Sequence, residues 1–252
     1  MSDIWLITGG GRSGKSAYAE ALATEKGAAT DVAETSMAAA IGPGIRAENT
    51  KGSKAANSEI PMDMIGPGIR AASAKGSIGA AGGGKAGSAT VCHAGVLYIA
   101  TAACVGDEMR ERVARHRADR PKDWITWERC RGLADIGTDF DASAFGTILL
   151  DCVGNLLMGI LFEEIPDEED FQSDAFARVE QLSVSEIDTL CAYARKHEKR
   201  LIFVTNEIGM GIIPATRYSR YYRDAIGRIN KHAAAAADRA VLMVSGIPLV
   251  LK

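Results

Sequence analysis

Eight consecutive residues, Gly9-Gly10-Gly11-Arg12-Ser13-Gly14-Lys15-Ser16, carry the spacing Gly-x-x-x-x-Gly-Lys-Ser. Glycines let backbone N–H groups close around a phosphate with no side chain in the way. A lysine in this position reaches the outer phosphates as a point charge, and the serine hydroxyl offers a hard oxygen to Mg²⁺. Gly9, Gly10, Gly11, Arg12, Ser13, Gly14, Lys15 and Ser16 are therefore the predicted nucleotide-binding loop, with Lys15 acting on the transferred group. Asp151 closes the apolar run Thr147-Ile148-Leu149-Leu150. A carboxylate at the carboxyl end of a buried strand beside such a loop holds Mg²⁺ through its waters, so Ser16 and Asp151 are the predicted metal ligands. The third chemical group is His116. A lone histidine near a helix end is held in its charged form by the helix dipole, and spacing alone leaves a capping or surface role open beside a catalytic one.

These residues need particular elements to position them. Ile4-Trp5-Leu6-Ile7-Thr8 is an apolar run of strand length leading into the glycines, and the Ala- and Glu-rich segment from Ala17 reads as a helix fading near Lys26-Gly27. Strand, glycine loop and helix in that order are the setting a P-loop requires, and the helix adds the positive end of its dipole. Val96 to Thr101 reads as the second strand, followed by a helix from about Asp107 to His116 on which Glu108, Arg112 and His116 share one face. Arg120-Pro121 stops that helix, and Trp124 and Trp127 follow. The strand ending at Asp151 comes next, and the acidic stretch 163–174 is expected to be a solvated loop. A helix near 176–197 leads to a strand at Leu201–Glu207, whose polar end and Gly209-Met210-Gly211 loop lie where open parallel sheets bind ligands. A last helix, about 215–237, precedes two closing strands joined by a tight turn near Ser245-Gly246.

Residues 30–92 break this pattern. They contain no aromatic residue and hold 11 of the 27 glycines; Ile41-Gly42-Pro43-Gly44-Ile45-Arg46-Ala47 recurs 24 residues later at Ile65–Ala71, as Lys51-Gly52-Ser53 does at Lys75–Ser77. Two copies are too few for a solenoid, and apolar residues are too sparse to offset the entropy of ordering the chain. The expectation is a flexible, duplicated insertion at 30–92 inside a single α/β domain spanning 1–252. A docking or substrate-covering role for it would have to overcome its departure from the end of the helix away from the P-loop.

The totals narrow the function. A net charge of −3 gives no basic footprint for nucleic acid, and the 47% hydrophobic content supplies a core for the 252 residues. There is no run of about 18 apolar residues for stable membrane insertion, and Met1-Ser2-Asp3 passes straight into the first strand. A soluble, cytoplasmic protein is expected. Five widely spaced cysteines without a C-x-x-C pair read as reduced thiols.

The segments on either side of the insertion, 4–28 and 95–252, resemble the bifunctional adenosylcobinamide kinase/adenosylcobinamide-phosphate guanylyltransferases of cobalamin biosynthesis. The resemblance rests on the loop 9–20, Leu-Tyr-Ile-Ala-Thr-Ala at 97–102, Asp107-Glu108-Met109 with Arg112, His116, Arg120-Pro121 and Trp124, and Leu150-Asp151-Cys152. It continues through Val204-Thr205-Asn206-Glu207-Ile208-Gly209-Met210-Gly211-Ile212-Ile213-Pro214 and the helix from Arg223 to Asp238. It implies a P-loop NTPase-like (RecA-like) α/β domain, with a mostly parallel sheet flanked by helices, assembled as a homotrimer with nucleotide sites near subunit boundaries. It also implies phosphorylation of the aminopropanol hydroxyl of adenosylcobinamide by ATP or GTP, then transfer of GMP from GTP. The histidine matching His116 would carry the GMP as a phosphoramidate, with Glu108 and Arg112 joining the nucleotide-binding set. Gly154 departs from the family pattern, in which a threonine is usual. Two other functions stay open on the residues: a P-loop kinase for another small molecule, with no use for His116, and a non-catalytic nucleotide-binding assembly protein that recruits partners through its insertion.

Overall fold

In the computed structural model the described residues are 2–24, 95–102, 120–166 and 173–252. The strands are β1 (Asp3–Gly9), β2 (Gly95–Ala100), β3 (Ile125–Glu128), β4 (Phe145–Asp151), β5 (Arg200–Val204), β6 (Arg239–Val244) and β7 (Ile247–Val250). The helices are α1 (Lys15–Thr24), a single turn α2 (Ile136–Asp139), α3 (Val153–Glu164), α4 (Ser173–Lys196) and α5 (Arg217–Ala236). The seven strands form one sheet in the order β3-β2-β4-β5-β1-β6-β7, parallel throughout except for the β6–β7 hairpin. This is the α/β class expected, with the P-loop strand β1 near the middle.

Because successive side chains in a strand face opposite sides, the central strands feed two cores. Ile4, Leu6, Leu97, Ile99, Ile148, Leu150, Leu201 and Phe203 pack with α3, α4 and α5. Trp5, Ile7, Val96, Tyr98, Leu149, Ile202 and Val241 pack on the other face with Tyr18, Ala19 and Leu22 of α1. The register then sets the site. Ile7 pairs with Val204, Val204 with Asp151, Asp151 with Ala100 and Ala100 with Glu128, so these five residues form one row at the carboxyl edge. Asp151 and the P-loop thus lie on the same edge, although β5 separates β4 from β1.

The closing hairpin has the predicted tight turn. Ser245 and Gly246 have φ of 52° and 84°, as a two-residue turn matching the strand twist requires. Among the described residues no helix is long and apolar enough to cross a membrane.

Three features differ from the sequence expectation or were not foreseen. Ile125-Thr126-Trp127-Glu128 forms an edge strand, with Ile125 and Trp127 half-buried and Thr126 and Glu128 exposed. Residues 153–164 form α3, whose Val153, Leu156, Leu157, Ile160 and Leu161 are all buried. The acidic stretch 163–174 is not one solvated loop: Glu163 and Glu164 end α3, and Asp174 lies in the first turn of α4. Two carboxylates at a helix C-terminus oppose its dipole, and arginines offset them. Arg131 bridges Glu163 at 3.1 Å and Glu164 at 2.9 Å, while Arg178 meets Glu164 at 2.8 Å. Residues 167–172 and the 30–92 insertion lie outside the described residues, as does the chain around Lys26-Gly27 where the first helix was expected to fade.

Helix α3 approaches the chain after β3 closely. A Cβ on Gly159 would lie 2.7 Å from Cys130 Cβ and 2.8 Å from its Sγ. Gly159→Ala is therefore expected to destabilise the fold by about 1–3 kcal/mol through overpacking, read from the midpoint of denaturant unfolding. An unchanged midpoint would contradict this packing.

Candidate active site

The P-loop glycines fall into two kinds. Gly9 has φ of +150°, and a Cβ there would lie 2.5 Å from the Met243 carbonyl oxygen; Gly14 has φ of +93° and sits with its Cβ position 3.4 Å from Gly246 Cα. The fold itself demands these two. Among the described residues a Cβ on Gly10 or Gly11 would meet no atom within 4 Å, and both residues are exposed. Arg12 takes a left-handed φ of 56°, and Gly246 N–H donates to Ser13 O at 3.0 Å, so the β6–β7 turn braces the loop from below.

Lys15 opens α1 but is only 7% exposed. Its Nζ donates to Gly10 O at 2.6 Å, which lays the side chain along the loop. Burial lowers its pKa, and the Asp151 carboxylate acts the other way. Ser16 follows in the first turn of α1. Ser13 Oγ and Thr8 Oγ1 are buried and have no hydrogen-bond partner among the described residues.

Asp151 ends β4, and the buried Tyr98 of β2 donates from its hydroxyl to Asp151 Oδ2 at 3.0 Å. Burial, with the carboxylate beside it, holds the Tyr98 phenol protonated far above its ordinary range, so it remains a donor. The chain beyond Asp151 is fixed by Thr101, whose Oγ1 donates to Cys152 O and accepts from Cys152 N, both at 2.7 Å. Burial pushes the Cys152 thiol up to about 11, which makes it a packed thiol rather than a nucleophile at neutral pH. The Arg120 guanidinium lies 3.7 Å from the Tyr98 ring centroid, and among the described residues its buried Nε and Nη1 have no hydrogen-bond partner.

The β5 end completes the edge. Glu207 N–H donates to Gly9 O at 3.0 Å, and Thr205 N–H to Ile7 O at 2.9 Å. Thr205 Oγ1 donates to Asn230 Oδ1 at 2.6 Å while Asn230 Nδ2 donates to Asn206 O at 3.0 Å, so α5 holds this segment from behind. At Gly154, a Cβ would lie 2.8 Å from the Tyr222 hydroxyl, which donates to Gly154 O at 3.2 Å. Tyr222 thus occupies the space that a threonine at 154 would need.

The P-loop residues and Asp151 therefore share one edge of the sheet. His116, Glu108 and Arg112 lie outside the described residues. Tyr98 and Arg120 were not predicted as site residues. Tyr98 reads in sequence as an ordinary strand aromatic, and Arg120 as a helix stop; only the Ala100–Asp151 register brings the tyrosine under the carboxylate. As a magnesium site, a serine hydroxyl and one carboxylate fit: Mg²⁺ takes few protein oxygens beside nucleotide phosphates and water. Tyr98 bonds only one of the Asp151 oxygens, which keeps the other for that use.

Fold and site define an α/β protein of the P-loop NTPase-like class. The family described as cobinamide kinase / cobinamide phosphate guanyltransferase matches residues 78–251. The chain belongs to that family. It is 39% identical over 161 residues to the bifunctional adenosylcobalamin biosynthesis protein CobU of Escherichia coli strain K12, covering 62% of this chain and 86% of the relative. Against the CobU protein of Salmonella typhimurium strain LT2 the identity is 39% over 157 residues, with the same coverage. The bifunctional adenosylcobalamin biosynthesis protein CobP of Pseudomonas aeruginosa is 32% identical over 157 residues, covering 62% of this chain and 82% of the relative. The P-loop precedes the matched residues 78–251, yet β1 is hydrogen-bonded between β5 and β6 and so belongs to the same sheet.

Proposed function

We propose that this enzyme phosphorylates the aminopropanol hydroxyl of adenosylcobinamide using ATP or GTP, and then transfers GMP from GTP through His116 to give adenosylcobinamide-GDP. The observation that carries the reading is the buried Lys15, laid along a complete P-loop on the same sheet edge as Asp151, in a chain of this family. Gly10 and Gly11, which nothing in the protein obliges to be glycine, leave backbone N–H groups open to the phosphates. Lys15 neutralises charge on the outer phosphates as the bond to the leaving group breaks. Ser16 and Asp151 would hold Mg²⁺, which when bound shields the triphosphate charge.

In the first reaction the substrate hydroxyl attacks the γ-phosphorus and the nucleoside diphosphate leaves, a displacement that asks chiefly for positioning. In the second, a His116 ring nitrogen attacks the α-phosphorus of GTP. The N–P bond forms as the bond to pyrophosphate breaks. A phosphate oxygen of the cobinamide phosphate then attacks the same phosphorus, the N–P bond breaks, and the imidazole is restored. Glu108 and Arg112, on the predicted helical face of His116, contact the nucleotide. We assign the enzyme to the cytoplasm and, as the family resemblance implies, to a homotrimer, with the 30–92 segment an insertion within its single α/β domain.

The test is product analysis. Purified protein with Mg²⁺, GTP and adenosylcobinamide is expected to yield adenosylcobinamide phosphate first and adenosylcobinamide-GDP later, resolved by mass. Formation of the phosphate alone would reduce the enzyme to a kinase, and no cobinamide product would overturn the reading.

A further inference from the structure

The loop after β5 exposes three large apolar side chains within four positions: Met210 at 85%, Ile212 at 95% and Ile213 at 69%. Single exposed apolar residues are ordinary, but a cluster beside a polar site marks a contact surface. The loop is also held. Gly209 N–H donates to Glu207 Oε1 at 2.7 Å, and Arg220 Nη1 donates to Pro214 O at 3.0 Å and Ala215 O at 2.6 Å. Ile208, by contrast, packs on the core. Both ends of the stretch are fixed, and its apolar side chains stand outward. It is also continuous with the nucleotide site, since Glu207 N–H is bonded to Gly9 O at the first P-loop glycine.

We propose that Met210, Ile212 and Ile213 form the platform on which the corrin macrocycle of the cobinamide acceptor docks, an inference that rests on the catalytic reading above. The acceptor hydroxyl sits on a short arm of the macrocycle and has to meet a phosphorus held by the P-loop. The ring must therefore settle on protein beside the P-loop, at the carboxyl edge of the sheet. A corrin face is broad and studded with methyl groups, which an apolar, pre-fixed loop complements without paying to order a flexible one. These three side chains by themselves fall short of the about 800 Å² per partner that a stable protein interface buries, so they do not alone make the subunit contact of the homotrimer proposed above.

The test compares wild type with Met210→Ser/Ile212→Ser and with the conservative Ile212→Leu. The double variant is expected to raise KM for adenosylcobinamide by about tenfold or more, from lost apolar contact. Its affinity for a fluorescent GTP analogue and its sedimentation should match wild type, and Ile212→Leu should retain the wild-type KM. A cobinamide KM unchanged in the double variant would overturn the proposal. So would a change of oligomeric state accompanied by weaker nucleotide binding, which would make the loop a subunit contact. Failure of the catalytic reading is separate and visible in wild type alone, as nucleotide binding without any cobinamide product.

Discussion

Gly9→Ala is expected to remove about 2–6 kcal/mol of stability, combining a backbone conformation that L-residues rarely adopt with an overpacked contact. The contact is severe because its partner cannot retreat. The Met243 carbonyl oxygen, 2.5 Å from the alanine Cβ, belongs to β6, and Met243 is the residue paired with Gly9 in the sheet. Ser13 Oγ would also lie 2.8 Å away, so the added methyl crowds both the sheet and the loop. Set against a typical stability of about 5–15 kcal/mol, the loss is large. Gly10→Ala provides the contrast. Its Cβ would meet no atom of the described residues within 4 Å, so unfolding should shift by no more than about 0.5 kcal/mol, while nucleotide affinity falls because the methyl group enters the space proposed for phosphate. Denaturant unfolding with nucleotide titration on both variants checks the pair; a Gly9→Ala protein as stable as wild type would contradict the geometry.

Lys15→Met is expected to separate activity from stability in the opposite sense. Phosphoryl and guanylyl transfer should each fall by about 10²–10³-fold, the usual loss when one preorganised charge at a transition state is removed. Stability should hold or rise, because among the described residues the buried Lys15 charge has its hydrogen bond to the neutral Gly10 carbonyl, and methionine fills similar volume. There is a pH corollary. Burial lowers the Lys15 pKa in the free protein, so as pH rises its charge is lost earlier than that of an ordinary lysine. Nucleotide affinity should therefore weaken on the alkaline side in wild type, and this limb should be absent from Lys15→Met. Steady-state kinetics with nucleotide binding across pH reads both effects; wild-type turnover by Lys15→Met would contradict them.

The P-loop was legible in sequence because its chemistry is local: strand, turn, lysine and helix cap lie within one short stretch. Asp151 was legible for a similar reason, as the acid that ends an unbroken apolar strand. The Ser245-Gly246 turn was recognisable because only certain residues tolerate two successive positive φ angles. Other elements were hidden by physics that acts across the chain. Helix α3 is buried nearly all round, so Val153 to Leu161 carries no helical period to read. Strand β3 has only four residues, and its Ile125/Trp127 alternation is too short to stand apart from the loop around it. The acidic stretch divided between two helices because Arg131 and Arg178 are there to neutralise its first two carboxylates, an arrangement no charge count reveals. Tyr98 under Asp151 and Tyr222 against Gly154 depend on pairings 53 and 68 residues apart, which exist only once the sheet has its register.

The proposed transfer of GMP through His116 is tested most directly by intact-mass measurement. Wild-type protein incubated with Mg²⁺ and GTP is expected to gain the mass of one GMP, to lose it in acid as a phosphoramidate does, and to pass it to adenosylcobinamide phosphate; His116→Ala should gain nothing while still binding GTP. A wild-type protein that binds GTP without forming the adduct, or an adduct that persists in His116→Ala, would contradict the account.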